Sequence, residues 1–216
     1  MKRKLLFLVL VVFIVSGIGV LALNFPKAVT TENMQKESVS GGNFVADAIR
    51  DAVKADISLV TTSDLRNHTV NASKNVSEAE IVNFISTKND KIYTISVTGK
   101  QILSALEKAV AIYPRNNPAF LQISGFDVFF DPNAKNDSKI ISVNINGKPL
   151  EKEIFYLIAM SESLSNGAFG YWKIWDTSKA VVNDVTMEDA VRVYGKNKNI
   201  EDIYEARIKT KVIEGK

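Results

Sequence analysis

The sequence has no cysteine and a single histidine, His68, among its 216 residues. Without cysteine the chain can form neither disulfides nor thiolate metal sites. A dinuclear phosphoesterase site needs several histidine, aspartate and asparagine ligands around two metals, which one histidine cannot provide. The metalloprotease, serine-hydrolase and P-loop motifs are absent as well. The sequence therefore predicts no catalytic residue, no metal site and no cofactor, and it favours His68 as a solvent-facing loop residue.

A strong excess of charge is also missing. The formal net charge is +3 at pH 7, and it includes the three cations of the N-terminal cluster Lys2-Arg3-Lys4. The remaining chain is close to neutral, whereas nucleic-acid-binding domains are usually basic. We therefore expect no nucleic-acid partner.

A long apolar run is present at the N-terminus, directly after this basic cluster. It extends from Leu5 to Leu23 without a charge, which is typical of an export signal. Its length and the preceding cations favour an uncleaved membrane anchor with a cytoplasmic N-terminus. The alternative is cleavage by signal peptidase near Ala22, because Val20-Leu21-Ala22 suits that enzyme. The sequence thus predicts an extracytoplasmic protein, either anchored to the membrane through residues 5–23 or secreted.

The remaining residues are enough for one domain with a sizeable core. We divide the sequence into a signal peptide or anchor (1–25), a polar linker (26–35) and a single domain (36–212). At the start of this domain, Asn43 is a good helix cap, and apolar residues recur at helical spacing up to about Ala55.

Strand and helix patterns then alternate. Residues 55–62 form an apolar run that predicts a buried strand, and this strand ends in a polar loop, the usual place for ligands in α/β folds. Ser77 begins a short helix with a capping-box pattern toward Glu80. Residues 91–97 alternate like a half-buried strand, and Thr98-Gly99 precedes another helix.

The second half of the domain is richer in strands. Asn146-Gly147 is a strong two-residue hairpin signal, and the tail contains one helical segment, 187–195, followed by a strand around 205–212. Together these patterns predict a single α/β (α+β) domain with a mixed sheet. Four further apolar runs are predicted strands: residues 120–124, 126–132, 139–145 and 153–160.

Seven segments of the chain carry a more specific signal. They are ESVSGGNFVADAI, ADISLV with Arg66, ISVTGKQILSALEKAV, FLQISGFDVFFDP, ISVNINGKPL, NGAFGY and ARIK. In order and spacing they resemble the C-terminal domain of 5'-nucleotidases. The resemblance covers about residues 36–210 and implies the fold of that domain, which in full-length members recognises the nucleotide. A separate N-terminal metallophosphatase domain holds two metals in those members, and we expect this chain to be a stand-alone copy without it.

The resemblance also assigns positions to ligand contacts. Members of the family usually hold the base between two aromatic rings, because every base has a face on which a ring can stack. Those two positions fall at Lys88 and Ser163 in this sequence, and the family's opening asparagine falls at Thr61. Arg66 keeps its functional position, and Lys36 stands where the family often has arginine.

The stretch SLSNGAFGYW, residues 163–172, is similar to the family's Asn-Gly-Gly-Asp-Gly-Tyr loop. Its glycines permit turns that are closed to other residues. Phe169 replaces the acid of that loop, and we expect it to fill space rather than stack on a ligand. Tyr171, Trp172 and Trp175 are interpreted first as core and rim aromatics. The full set of candidate ligand-binding residues is Lys36, Arg66, Lys88, Ser163, Asn166, Phe169 and Tyr171.

Three functions are compatible with these residues. The missing aromatics favour a structural or protein-interaction module with a diverged pocket, docking on a separate phosphatase or another protein. The retained Arg66, with Lys36, favours a binding module for a nucleotide-like or other phosphorylated small molecule. The resemblance alone would suggest a hydrolase in nucleotide catabolism, but the missing metal ligands argue against catalysis.

Overall fold

The computed structural model describes residues 23–197 and 200–213. Residues 5–22 of the predicted anchor lie outside this range. Within it, no helix has the length and apolar character that a membrane crossing requires. The helices are α1 (Ser40–Val53), α2 (Glu78–Val82), α3 (Gly99–Val110), α4 (Glu162–Ser165) and α5 (Met187–Asn197).

Strands make up most of the remaining regular structure. They are β1 (Leu23–Phe25), β2 (Val29–Thr30), β3 (Ile57–Thr61), β4 (Thr69–Val70), β5 (Ser73–Val76), β6 (Lys91–Thr98), β7 (Leu121–Ser124), β8 (Phe126–Phe130), β9 (Ile140–Ile145), β10 (Lys148–Pro149), β11 (Phe155–Ser161), β12 (Val181–Thr186) and β13 (Ile208–Thr210).

The central sheet is mixed, as predicted, and has the strand order β12-β6-β11-β3-β7. β11 runs parallel to β3, whereas β6 and β7 run antiparallel to them. Thr61 at the end of β3 pairs with Leu121 at the start of β7, and Ser161 at the end of β11 pairs with Ile92 near the start of β6. The ends of β3 and β11 therefore lie on the same side of the sheet as the starts of β6 and β7. We call this side of the sheet the upper edge and the other side the lower edge.

The two faces of this sheet pack into two separate cores. Alternate side chains of β11 point to opposite faces, so Ala159 joins the core formed with α1 and α5, whereas Met160 joins the core formed with α3. A smaller sheet, β10-β9-β8-β13, packs against the second core. The long helices α1, α3 and α5 therefore cover the faces of the sheet, and the upper edge is formed by loops and the short helix α4.

Local sequence signals locate several element boundaries correctly. Ser77 and Thr98 each form a complete capping box at the start of α2 and α3. Asn146 and Gly147 both have positive φ and join β9 to β10, as the hairpin signal predicts. These boundaries depend on contacts within a few residues, which is why the sequence reveals them.

The N-terminal boundary of α1 is different from the prediction. The helix begins at Ser40 with Val39 as its cap, and Asn43 lies inside it. The buried Asn43 amide donates hydrogen bonds to the carbonyl oxygens of Ile203 and Glu205, both at 2.9 Å. Asn43 therefore joins α1 to the C-terminal tail, and a contact across 160 residues leaves no local signal.

The segment predicted as an anchor end and a linker is part of the folded domain. β1 pairs with β5, and Phe25 is 2% exposed with its ring edge-on to Phe44. β2 pairs with β4, and Val29 is fully buried. Residues 23–35 are therefore part of the described fold, in which strand pairing and burial override the polar composition that predicts a linker at 26–35.

β12 is an edge strand that the sequence patterns did not predict. It pairs with β6 on one side only, with an irregular register between Val182 and Thr186. Val181 and Val182 are exposed, and Asn183 and Asp184 interrupt the apolar pattern. Irregular pairing and polar residues are common in edge strands, and both weaken the alternating signal.

Candidate functional site

The loop after β3 is closed by a buried carboxyl group. Oδ2 of Asp64 accepts hydrogen bonds from the backbone nitrogen and the hydroxyl of Thr61, both at 2.8 Å. Burial raises the pKa of Asp64, and the hydrogen bonds from Thr61 and Ser161 oppose this shift. The closed turn places Arg66 at the surface of the upper edge.

Arg66 lies against the segment that carries Lys88. Its backbone nitrogen donates to the Phe84 carbonyl oxygen at 2.9 Å, and its Nη2 donates to the Ser86 carbonyl oxygen at 3.4 Å. Ser86 in turn donates its backbone N–H to the Asp64 carbonyl oxygen. The structure thus brings Arg66 and the partly exposed Lys88 to adjacent segments of the upper edge.

Lys36 approaches the same edge from the N-terminal turn. Thr31 donates its hydroxyl to the Arg66 carbonyl oxygen, and the backbone nitrogen of Lys36 closes the turn on Asn33 at 3.0 Å. The Gln35 carbonyl oxygen accepts a hydrogen bond from the Asn117 backbone nitrogen at 2.8 Å. Lys36 is therefore held beside the loop of Arg66, although the two residues are far apart in sequence.

The loop after β11 forms another part of the edge. Ser161 caps α4 by accepting from the Leu164 backbone nitrogen, and Ser163 and Asn166 follow with partly or fully exposed side chains. Gly167 has φ 81°, and a Cβ there would lie 2.4 Å from the Trp172 Cβ. This geometry is consistent with the predicted role of glycine in the turns of the loop after β11.

Phe169 does not fill the core. Its side chain is 37% exposed, and its backbone has φ 54° and ψ 20°, the left-handed conformation. A bulky residue with positive φ is an outlier that typically persists at functional positions. Phe169 is therefore more exposed than a core-filling residue, and its role as a packing residue or a ligand contact stays a prediction.

Tyr171 belongs to the core and not to a ligand-contacting surface. It is fully buried, its hydroxyl donates to the Ala119 carbonyl oxygen at 2.6 Å, and its ring stacks on Trp175 at 5.2 Å. Burial raises its pKa. Tyr171 is therefore removed from the contact set, and it anchors the loop that presents Phe169. Trp172, in contrast, is 60% exposed.

A segment that sequence reasoning missed, Asn117–Ala119, joins these loops. Asn117 is buried, and besides its contact to Gln35 it donates Nδ2 to the carbonyl oxygens of Lys108 and Ala109. The Pro118 carbonyl oxygen accepts the hydroxyl of Thr62 from the β3 loop at 2.9 Å. Through Ala119 the segment also holds Tyr171. Only the turn-forming Asn-Pro pair could have drawn attention to it.

Lys108 is a second residue that the sequence analysis missed. It lies in the last turn of α3, and its Nζ is 5.7 Å from the ring centroid of Tyr171. A lysine on the polar side of an amphipathic helix is normally a solvated charge, so no motif distinguishes it.

His68 is less exposed than predicted. Its ring packs edge-on against Phe84, with 5.2 Å between centroids, and its Nε2 is buried without a hydrogen-bond partner among the described residues. The prediction of a solvent-facing residue is wrong, because the β4 segment folds back over the core. Across residues 23–197 and 200–213, no group of three or more possible ligands is placed to hold a metal ion.

The lower edge contains a polar cavity of about 320 Å³. Arg50, Asp202 and Tyr194 contribute to its lining, together with a nearly buried ion pair between Asp47 and Arg207. None of the predicted site residues lies there. The seven candidate residues thus map to the upper edge, six of them with side chains at least partly exposed.

Comparison with known proteins identifies relatives of this fold. Residues 18–176 match the family model described as 5'-nucleotidase, C-terminal domain. Over 149 residues the chain is 25% identical to the trifunctional nucleotide phosphoesterase protein YfkN of Bacillus subtilis (strain 168). This alignment covers 65% of the chain and only 10% of that protein.

Solved structures show the same relationship. A 5'-nucleotidase precursor from Thermus thermophilus superimposes with a TM-score of 0.74 and 19% identity, over 90% of this chain and 40% of that one. The NAD nucleotidase of Haemophilus influenzae gives a TM-score of 0.73 and 16% identity, over 90% and 38%. At these identities the similarity establishes the fold, and the chain spans about two fifths of either protein.

Proposed function

Because this chain belongs to the family of 5'-nucleotidase C-terminal domains, we propose that it is a binding module that holds a phosphorylated, nucleotide-like small molecule at the upper edge. The observation that carries the proposal is that four segments of the upper edge, joined by hydrogen bonds, carry three cationic side chains and an exposed aromatic ring. Lys36, Arg66, Lys88 and Phe169 come from four separate segments.

The cations at this edge are available for an anion. Within the described part of the chain, no carboxylate forms an ion pair with Lys36, Arg66 or Lys88. Arg66 uses one N–H on the Ser86 carbonyl oxygen, and a guanidinium group has five donors in a planar fork that matches phosphate geometry. Charge-assisted hydrogen bonds of this kind are roughly twice as strong as neutral ones.

Phe169 supplies the apolar part of the proposed contact. Stacking of a base on an aromatic ring contributes about 1–3 kcal/mol, which is comparable to the roughly 1–2 kcal/mol that a left-handed residue costs. In this proposal the Phe169 ring stacks on the base from a new position. The two positions where the family has aromatic rings are occupied here by Lys88 and Ser163.

A role as a protein-interaction module is the second candidate. Large apolar side chains are exposed on several surfaces, with Phe155 67%, Val181 62% and Trp172 60% exposed. Export and membrane attachment through residues 5–23 remain predictions from the sequence, as does a separate phosphatase partner.

Replacement of Arg66 tests the proposal. We expect isothermal titration calorimetry of the full chain to show binding of at least one member of a panel of nucleosides, nucleotides, sugar phosphates and free phosphate. Arg66→Ala should weaken that binding by about tenfold to a hundredfold, because a hydrogen bond to a charged group contributes about 1.5–3 kcal/mol.

Two further variants control the interpretation. Arg50→Ala removes a guanidinium group from the lower edge and should leave the affinity unchanged. Phe169→Gly removes the ring but suits φ 54°, so it should weaken nucleotide binding without affecting free phosphate. If no compound on the panel binds, or if Arg66→Ala and Arg50→Ala have equal effects, the proposed site is wrong.

A further inference from the structure

Lys108 lies directly against the loop that presents Phe169. A Cβ built on Gly170 would be 3.2 Å from Nζ of Lys108, and the same ammonium group lies over the Tyr171 ring. The side chain therefore extends from the end of α3 to the middle of the β11 loop. Its partial exposure leaves the ammonium group within reach of a ligand at the upper edge.

The backbone of Lys108 is fixed in this place by Asn117. The Asn117 Nδ2 donates to the carbonyl oxygens of Lys108 at 3.1 Å and Ala109 at 2.7 Å, and its Oδ1 accepts from the Ala119 backbone nitrogen at 3.0 Å. Because Ala119 also holds the Tyr171 hydroxyl, the end of α3 and the β11 loop share one buried support.

The charge of Lys108 has no counterion in the described residues. No carboxylate of residues 23–197 or 200–213 forms an ion pair with it. Its neighbour Glu107 is occupied by the backbone nitrogens of Lys139 and Ile140, at 3.0 and 2.8 Å. An ammonium group held beside a ligand loop without a carboxylate partner is suited to a bound anion.

We propose that Lys108 is a ligand-binding residue of this site and contacts a second phosphate group, so that the site prefers nucleoside diphosphates to monophosphates. The inference rests on the proposed function. Lys36, Arg66 and Lys88 approach from the segments beside β3, whereas Lys108 approaches from α3. A diphosphate carries more negative charge than a monophosphate and presents two phosphate groups to cations that come from different elements of the fold.

The competing role for Lys108 is purely structural, because an ammonium group over an aromatic ring also stabilises the fold. Two replacements separate the roles. Lys108→Met keeps the apolar stem against Tyr171 and removes the charge, whereas Lys108→Arg keeps the charge. If Lys108 has only a structural role, its replacement should change the affinities for all ligands by the same factor. If it contacts a phosphate group, its replacement should change the ratio of the dissociation constants for diphosphate and monophosphate.

The test measures dissociation constants of the full chain for adenosine 5'-diphosphate and adenosine 5'-monophosphate by calorimetry. For Lys108→Met we expect about tenfold weaker binding of the diphosphate, as for loss of one charged contact, and less than about twofold weaker binding of the monophosphate. Lys108→Arg should keep the preference, and Lys148→Met, on the exposed β10, should not alter it.

The outcomes distinguish the two proposals. If Arg66→Ala weakens binding as expected but Lys108→Met leaves the ratio of the two dissociation constants unchanged, the inference about Lys108 is wrong and the proposed site stands. If the wild-type chain binds neither nucleotide, the inference about Lys108 is also wrong. If it binds no other compound of the panel either, the proposed function is wrong as well.

Discussion

Replacing Asp47 with alanine is expected to lower the free energy of unfolding by about 3 kcal/mol. Asp47 forms a two-pronged ion pair with Arg207, in which Nη1 and Nη2 each lie 2.7 Å from a carboxylate oxygen, and the side chains are only 13% and 11% exposed. Removing the carboxylate leaves the guanidinium charge nearly buried without its partner. The expected loss of unfolding free energy is at the low end of the range for buried ion pairs, because Asp47 and Arg207 border a cavity.

Urea denaturation measures this effect, and two variants control it. Asp176→Ala removes an exposed carboxylate that lies 3.9 Å from Lys179 and caps the short turn at Thr177–Lys179 through Ser178, so it should cost about 1 kcal/mol. The double variant Asp47→Leu/Arg207→Met should be more stable than Asp47→Ala, because no unpaired charge remains. An Asp47→Ala protein as stable as Asp176→Ala would show that the pair contributes little.

Replacing Phe25 with alanine is expected to lower the free energy of unfolding by about 3–5 kcal/mol. The side chain is 2% exposed and packs in the same core as Phe44, so its removal leaves a cavity that the neighbours fill only in part. The experiment tests whether Phe25 is part of the folded core. If residues 1–25 acted only in targeting, the change would have no effect on unfolding.

Phe155 provides the matched control. It is 67% exposed at the start of β11, so Phe155→Ala deletes the same atoms with little loss of buried contact. We expect it to change the free energy of unfolding by less than about 1 kcal/mol. Equal effects of the two replacements in urea denaturation would contradict the packing of β1 into the core.

The fold was largely predictable because its signals are local. The capping boxes of Ser77 and Thr98, the Asn146-Gly147 turn and the alternating strand at 91–97 each depend on neighbours within a few residues. The family resemblance then supplied the order of elements, and the solved structures of relatives share the fold.

Contacts between distant segments were not predictable. Asn43 looks like a cap in sequence, yet it bonds to Ile203 and Glu205. Phe25 follows an apolar segment, and composition groups it with that segment, although the pairing of β1 with β5 makes it a core residue. The composition of a segment describes only its own residues, whereas its burial depends on contacts with residues that are distant in the sequence.

The sequence indicated which segments of the candidate site lie together better than it indicated the surroundings of each residue. The resemblance placed Arg66 and Lys36 at one site, and the structure holds them on adjacent segments. It gave no information on Lys108 or Asn117, because neither falls in a ligand motif. The exposure of Phe169 follows from a backbone conformation that the residue type itself disfavours.

The most direct test of the account is to locate the ligand on the protein. We would record two-dimensional amide NMR spectra of the full chain during titration with adenosine 5'-diphosphate. The account predicts that the perturbed signals belong to the upper edge, at Arg66, Lys108 and residues 86–90 and 163–170. Perturbations confined to the lower-edge cavity beside Arg50 and Tyr194, or no perturbation at all, would contradict it.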